Sequence, residues 1–360
     1  MLLINILGFV LILGVLIFVH EFGHFIVAKW SKMKVSEFAF GFPPTLFSWR
    51  KKDTKYLINS IPIGGYVKIE GEDGDSKNPN SFNRRPIRYQ VLTLFAGVFM
   101  NWLLAVVVLT IGFMIGMIPP ISNYSDYQGQ KEIGVIVTKT IENSPAQIAH
   151  IKAGQKIISI NGEQIKESED VSQLTQSYKG QKIALELSDI NGNNGEIKSV
   201  LLGENDVPLG VYLSEVYKVK LGFLKAIFAS VKETFVVIWA IIDFLGQFLK
   251  QLFVTGTLSN DVAGPIGIYF LTSQAIGMGI VAVLQLVAIF SINLAVINIL
   301  PFPALDGGRV LFILLKKQFG KKIVHEKIEA IIHMIGFILL ILLMVAITYQ
   351  DIIQRARYSL

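Results

Sequence analysis

The sequence predicts a membrane α-helical protein with four transmembrane helices and one inserted soluble α+β domain. Hydrophobic residues make up 52% of the 360 residues, and charged residues make up only 17%. The mean hydropathy of +0.53 is high for a soluble protein. The apolar residues also gather into a few long stretches, as expected of a chain that crosses a lipid bilayer several times.

Four apolar stretches are long enough to cross a membrane as helices, because a bilayer core of about 30 Å needs about 20 helical residues. They run over Leu2–Val27, Val91–Ile118, Ile276–Leu300 and Ile331–Ile347. A further apolar segment, Leu221–Phe253, carries Lys225, Lys232, Asp243 and Lys250 on one helical face. This pattern predicts an amphipathic helix that lies at the membrane surface.

The basic residues are concentrated in two of the connecting loops. Twelve lysines and arginines lie between Lys29 and Arg88, and Arg309, Lys316 and Lys317 precede the last span. Cytoplasmic loops carry an excess of basic residues, so we expect both loops to face the cytoplasm. With four spans, both termini and the long segment after the second span are then extracytoplasmic. The net charge of +6 reflects this asymmetry. We expect the basic loops to contact membrane lipid and no nucleic acid.

The most specific motif, His-Glu-Phe-Gly-His at residues 20–24, lies within the first apolar stretch. On a helix His20 and His24 are one turn apart on the same face, so two imidazoles can bind one metal ion. Glu21 beside them is placed to act as a general acid and base. Ionisable side chains are costly in hydrocarbon and usually mark a functional site. The motif therefore predicts a metal site at membrane depth.

A catalytic zinc ion normally has three protein ligands, so a third is needed beside the two histidines. The chain has no cysteine, and Trp30 stands where the long zincin motif places another histidine. Glu37 is the nearest downstream carboxylate, but it follows beyond the helix. Asp306 is a better candidate, because two prolines and two glycines predict a tight turn around it. The predicted topology also brings His24 and Asp306 to the same face of the membrane.

Two motifs together resemble those of the site-2 protease family of intramembrane zinc metalloproteases, and most closely its bacterial RseP-type members. The first motif is HEFGH at residues 20–24, and the second is NxxPxxxLDG at residues 298–307. Further similarity covers nearly the whole chain, including residues 64–68 and 97–101. Val98 departs from the family pattern, which has proline at this position. Because Asn101 belongs to the same motif, the resemblance implies its role less directly.

The resemblance implies an enzyme that hydrolyses a peptide bond within or near the transmembrane segment of a single-pass membrane protein. Its cofactor would be Zn²⁺, with His20, His24 and Asp306 as ligands and Glu21 as the catalytic acid and base. The expected substrates are anti-sigma factors or signal-peptide remnants, cut in regulated intramembrane proteolysis at the bacterial cytoplasmic (inner) membrane. The resemblance also implies a membrane-associated β region after the first span.

Substrate contacts are expected from two places. The segment Ile61–Ile69 has β character and could pair with an extended peptide beside the metal, or it could be an ordinary cytoplasmic hairpin. Its expected contact residues are Gly64, Gly65, Tyr66 and Val67. Asn298 could donate a hydrogen bond to the substrate, or it could satisfy polar backbone groups near Pro301.

The segment after the second span is predicted to be a soluble domain, since hydropathy falls and short β-like runs alternate with turns. Ser144-Pro145-Ala146 and residues 157–162 resemble parts of a bacterial PDZ domain. His150 stands where glycine is usual, and Gln155 replaces the usual aspartate. Such a domain could bind an extended peptide end, or it could exclude substrates that retain large ectodomains.

We therefore expect four segments in the chain. Residues 1–118 hold two transmembrane helices and the cytoplasmic β region, 119–215 the extracytoplasmic PDZ-like domain, 216–275 the amphipathic helix and a connector, and 276–360 the last two transmembrane helices. Two other functions would suit a membrane protein of this kind. A PDZ-bearing scaffold leaves the HExxH motif unexplained, and an ion-coupled transporter predicts inverted repeats that the sequence does not show.

Overall fold

A computed structural model of the protein describes residues 2–72, 74, 76–122, 127, 130–189, 195–256, 262–320 and 326–358. Its helices and strands, in chain order, are α1 (Leu2–Trp30), β1 (Val35–Lys51), β2 (Thr54–Ile69), a short 3-10 helix (Phe82–Arg84), α2 (Ile87–Ile115), β3 (Gln130–Thr140), α3 (Pro145–Ile148), β4 (Lys156–Ile160), β5 (Glu163–Gln164), α4 (Ser168–Ser177), β6 (Lys182–Ser188), β7 (Glu196–Leu201), β8 (Val211–Lys220), α5 (Phe223–Thr255), α6 (Pro265–Met278), α7 (Ile280–Ile299), α8 (Asp306–Phe319) and α9 (Glu326–Tyr358).

The chain forms two compact units. The first unit comprises Met1–Leu109, Ser230–Ile276 and Leu284–Leu360. The second unit comprises Thr110–Ala229 and Gly277–Val283.

Four helices in the described part of the chain are long and apolar enough to cross a membrane, which confirms the predicted number of spans. They are α1, α2, α7 and the Lys327–Ile353 portion of α9. Their ends differ from the predicted ones where glycine interrupts the helix. Gly279 has φ +97° and separates α6 from α7, so the predicted start at Ile276 falls within α6. Gly116 directly follows α2 and has φ +109°, an angle that glycine adopts without steric cost. The helix therefore ends before the predicted Ile118.

The predicted amphipathic segment forms a single 33-residue helix, α5, and α5 is not among the four helices that could span. The charged residues that place it at the membrane surface in the sequence are all exposed: Lys225, Lys232, Asp243 and Lys250. Glu233 is an exception, because its side chain is fully buried.

Strands β1 and β2 form an antiparallel pair that curls back on itself. Residues 37–40 of β1 pair with residues 55–58 of β2 on one side and with residues 65–68 on the other. The chain can turn this sharply because Gly41 and Gly64 have φ +79° and +105°. Residues 65–69 consequently form an edge of this sheet, and in the described part of the chain no further strand pairs with it.

A buried apolar cluster fixes the β region against the end of α1 and the start of α2. Burial of each of the larger side chains of this cluster, those of Met, Val, Ile, Phe and Leu, contributes about 1.5–3 kcal/mol to stability. Its members are Ala28, Met33, Val35, Ile69, Phe82 and Leu94.

The second unit is built around an antiparallel sheet with strand order β7-β6-β4-β3-β8, and β5 pairs with β4. Alternate residues of β6 are buried, as expected for a sheet with one face on a core. Thirteen buried apolar residues form one cluster in this unit, and they include Ile157, Leu185 and Leu209. This unit therefore has an apolar core of its own.

Candidate metal centre

His20, His24 and Asp306 meet in the first unit, although His20 and Asp306 are 286 positions apart in the chain. His20 Nε2 lies 3.1 Å from Asp306 Oδ2 and 3.1 Å from His24 Nε2. His24 Nε2 lies 3.4 Å from the same carboxylate oxygen. Both imidazoles are buried and the carboxylate is half-buried. Three potential ligand atoms thus converge from α1 and the start of α8.

The hydrogen bonds around these atoms fit a bound cation. His24 Nδ1 lies 2.8 Å from the Thr93 carbonyl oxygen, which can only accept, so Nδ1 carries the proton. In the neutral imidazole Nε2 then presents a lone pair to the Asp306 carboxylate. Tetrahedral zinc with ligand bonds of about 2.1 Å separates its ligand atoms by about 3.4 Å. The distances between the three atoms match this value, so the residues present fit zinc.

Two glycines allow α1 and α2 to approach closely at the histidines. A Cβ atom at Gly97 would lie 2.5 Å from His24 Nε2 and 2.7 Å from His20 Cε1. A Cβ atom at Gly23 would lie 2.4 Å from the Ala96 carbonyl oxygen. Any larger residue at either position would have to push the helices apart or displace an imidazole.

Asn101 on α2 contacts the other nitrogen of His20. Asn101 Nδ2 lies 3.4 Å from His20 Nδ1, and Asn101 Oδ1 is buried without a hydrogen-bond partner among the described residues. A histidine that binds a metal through Nε2 carries its proton on Nδ1 and needs an acceptor there. A 180° rotation of the amide presents Oδ1 to that proton without changing the side-chain shape. The site therefore holds a suitable partner for a metal-bound His20.

A tight turn brings Asp306 to the histidines. Cβ atoms at Gly307 and Gly308 would lie 2.2 Å from the carbonyl oxygens of Ile299 and Phe302, respectively. Both positions consequently require glycine, since a side chain there would displace the backbone that it meets.

The same turn is held from α9. Ala304 has φ +77°, an unusual angle for a residue with a side chain. Its N–H donates a 2.8 Å hydrogen bond to His333 Nδ1. A Cβ atom at Gly336 would lie 2.6 Å from the Pro303 carbonyl oxygen, so α9 packs directly on the turn. The Asp306 position thus depends on a helix that follows it in the chain.

Glu21 lies beside the edge of the β region. The Val67 N–H donates a 3.1 Å hydrogen bond to Glu21 Oε2. A Cβ atom at Gly65 would lie 3.7 Å from Glu21 Cγ. Gly65 and Val67 are therefore next to the acidic side chain of the HExxH motif.

The two neighbouring residues of β2 make different contacts. A Cβ atom at Gly64 would lie 2.5 Å from the Phe42 ring. The Tyr66 hydroxyl donates a 3.0 Å hydrogen bond to Glu37 Oε2. Burial, and then this hydrogen bond, raise the pKa of Tyr66, so its hydroxyl stays protonated at neutral pH. Glu37, the other carboxylate considered as a ligand, lies outside the metal cluster.

Asn298 and Asp306 line the same cavity of about 300 Å³. Apolar side chains of α2, α7 and α8 form most of its wall, and Val98 is one of them. The valine that departs from the family pattern is therefore accommodated beside the site.

Sequence reasoning missed Thr93 and His333 as site residues. Thr93 contributes a backbone carbonyl, for which the side-chain sequence contains no signal. His333 is a polar residue near the start of an apolar span. Its position gave a signal, but its contact with Ala304 depends on how α9 packs.

Comparison with known proteins agrees with this geometry. The family model described as Peptidase family M50 matches residues 8–343. A protein of Clostridium acetobutylicum with a zinc metalloprotease name is 35% identical, over 98% of this chain and 99% of its own length. Zinc metalloprotease RasP of Bacillus licheniformis is 29% identical, and that of Shouchella clausii is 30% identical, each over 97% of this chain and 98% of its own length.

The match extends over both motifs and all four spans, and the relatives bear zinc metalloprotease names. The predicted resemblance, the protease function and the zinc cofactor are thereby confirmed, and the scaffold and transporter hypotheses lose their support. The chain belongs to peptidase family M50, the site-2 protease family, and is an intramembrane zinc metalloprotease.

Proposed function

We propose that this protease cuts single-pass membrane proteins within or near their transmembrane segment, as in regulated intramembrane proteolysis. Anti-sigma factors and signal-peptide remnants are the expected substrate classes. The observation that carries the proposal is that His20, Glu21 and His24 lie on a helix long and apolar enough to span the membrane. Reactive groups on such a helix are at the depth of a substrate's own transmembrane segment.

In this proposal His20, His24 and Asp306 hold the zinc ion. When bound, zinc polarises the scissile carbonyl and lowers the pKa of a water molecule. Glu21 accepts the proton of the attacking water and later gives it to the leaving amine. The Val67 N–H fixes one oxygen of the Glu21 carboxylate, so the other is free to handle the proton.

The substrate is proposed to bind as an added β-strand. A transmembrane helix hydrogen-bonds its own carbonyls, so the cleaved segment must first unwind. The Val67 N–H points away from β1 and towards Glu21, and residues 65–69 form an edge of the β region. An extended peptide on this edge would pass beside Glu21. These contacts favour strand addition over an ordinary hairpin.

Asn298 is proposed to orient the substrate carbonyl by donating a hydrogen bond from its amide. It is half-buried and shares the 300 Å³ cavity with Asp306. The apolar remainder of the cavity suits an apolar substrate side chain, as expected for a transmembrane segment.

We also infer that residues 119–215 form an extracytoplasmic PDZ-like domain and that both termini lie on the same side. The two departures from the PDZ pattern support the assignment. His150 has φ +53°, an angle at which glycine is favoured. Gln155 Oε1 accepts a 2.8 Å hydrogen bond from the Lys152 N–H, as an aspartate there could.

The first test is cleavage of a single-pass membrane reporter with a trimmed ectodomain by purified wild type and Glu21→Gln, with bound zinc measured in both. We expect the wild type to cut within the span, and Glu21→Gln to keep zinc and lose activity. Glu163→Gln is the matched control, because it makes the same change at an exposed carboxylate in the second unit. Equal cleavage by the wild type and Glu21→Gln would contradict the proposed role.

A further inference from the structure

The first unit contains a second cavity, of about 770 Å³, whose lining is strongly basic. It lies between residues 71–90, α8 and the start of α9. Among the described residues, five cations and two carboxylates line it, an excess of three positive charges: Arg84, Arg85, Arg309, Lys316 and Lys317, with Glu72 and Glu329. Its lining is separate from that of the cavity shared by Asn298 and Asp306.

The two carboxylates are already paired. Glu72 forms an ion pair with Arg309, and Glu329 forms one with Lys316. Neither carboxylate is paired with Arg85 or Lys317.

Arg85 and Lys317 meet no carboxylate among the described residues. Arg85 Nη2 donates hydrogen bonds to two uncharged acceptors, the Lys32 carbonyl oxygen at 2.5 Å and Asn80 Oδ1 at 2.8 Å. The Arg85 Nε atom is buried without a hydrogen-bond partner in the described part of the chain. Buried donors on a guanidinium are costly unless an acceptor reaches them. Arg85 thus places a positive charge at the cavity wall with no described carboxylate beside it to neutralise that charge.

The cavity also has an apolar wall, which includes Phe82, Ile87 and Ile313. Around it, α2, α8 and α9 carry exposed apolar side chains, including Leu92, Leu314 and Ile331, of the kind that faces hydrocarbon. A site that combines excess positive charge with an apolar wall beside a lipid-facing surface suits an amphiphilic anion better than a soluble one.

We propose that this cavity binds the phosphate headgroup of an anionic phospholipid, with the first part of an acyl chain on its apolar wall. Arg85 supplies directed N–H donors, and Lys317 supplies a mobile charge. The proposal goes beyond the protease function and does not depend on it. The site lies in the loops predicted to be cytoplasmic, where the membrane surface carries anionic lipid.

The test is native mass spectrometry of the delipidated full chain in detergent, titrated with phosphatidylglycerol or with phosphatidylcholine of the same acyl chains. Glycerol phosphate, added separately, represents the same phosphate chemistry without the acyl chains. The variants are Lys317→Gln and Lys317→Glu, which are exposed changes with little risk to folding. Lys77→Glu is the matched control, because Lys77 is exposed in the same basic loop and does not line the cavity.

We expect saturable binding of one phosphatidylglycerol, about fivefold weaker in Lys317→Gln and about twentyfold weaker in Lys317→Glu. Phosphatidylcholine and glycerol phosphate should bind at least about tenfold more weakly. An equal loss of phosphatidylglycerol affinity in Lys77→Glu would mean diffuse attraction to the basic surface and would overturn the proposed site. Equal binding of glycerol phosphate would mean a soluble phosphate site, and equal binding of the two lipids would remove the role of charge.

Discussion

The two units use their polar side chains in opposite ways. In the first unit the imidazoles of His20 and His24 and the carboxylate of Asp306 face one another. In the second unit Asp170, in the first turn of α4, and Glu215, on β8, accept hydrogen bonds from backbone N–H groups at the start of α4. The first arrangement needs a cation to be favourable, whereas the second stabilises a helix end without one. In the proposed mechanism the polar groups of the first unit depend on a metal ion, whereas those at the start of α4 depend on the backbone.

Removing any ligand of the metal centre should break the first arrangement completely. We expect His20→Ala, His24→Ala and Asp306→Ala each to lower zinc affinity by more than about 100-fold, because outer partners of a metal ligand alone cost 10- to 100-fold. Elemental analysis after dialysis against a chelator measures the retained zinc. Glu37→Ala, the control, should retain zinc. Full zinc retention by Asp306→Ala would exclude it as the third ligand.

The turn that carries Asp306 should be nearly as sensitive. A methyl group at Gly307 meets two backbone carbonyl oxygens at 2.2 and 2.3 Å, so Gly307→Ala must displace the turn. We expect the free energy of unfolding to fall by about 1–3 kcal/mol. Zinc affinity should fall with it, because the turn carries Asp306. Thermal unfolding and zinc content measure the two effects. Gly246→Ala is the control, because a Cβ atom there meets nothing within 4 Å; equal behaviour of both variants would contradict the prediction.

Asn101 is a buried polar group of the first unit that contacts His20 and not the metal position. We expect Asn101→Leu to keep the fold and to lower zinc affinity by about 10- to 100-fold, since His20 Nδ1 loses its acceptor. Asn101→Asp restores an acceptor and should recover most of the affinity. Chelator competition at equilibrium measures both. If Asn101→Leu binds zinc like the wild type, the amide has no role in orienting His20.

The smallest effect is expected in the second unit at low pH. Backbone hydrogen bonds from Glu167 and then Lys166 lower the pKa of Asp170, and the Ser168 N–H lowers that of Glu215. These groups therefore stabilise α4 above their unfolded pKa values of about 4. The stability is lost as pH falls through the lower folded values.

Hydrogen exchange of the α4 amides in the full chain, corrected for intrinsic rates, measures this loss. Protection should fall as the pH drops below about 4 and change little above about pH 5. Asp170→Asn should flatten the dependence, whereas Glu163→Gln at an exposed strand residue should not. A protection profile that is unchanged by Asp170→Asn would assign the stability of α4 to its apolar contacts alone.

Much of the first unit could be predicted because its signals are local or compositional. Apolar length located the four spans, and helical spacing placed His20 and His24 on one face. The turn at Asp306 was visible from its prolines and glycines. The curl of β1 and β2 was not predictable in this way, because residues 37–40 pair with two different parts of β2. Such pairing depends on bulges and on the packing of Gly41 and Gly64.

Residue types at defined spacings were enough to predict the number of spans, the two motifs and the family. The groups that complete the candidate centre are set by tertiary packing. This packing brought the Thr93 carbonyl to His24, Asn101 to His20, the Val67 N–H to Glu21 and His333 to the turn before Asp306. These contacts join helices and strands distant in the chain, and they follow from packing, which no local pattern of residues encodes.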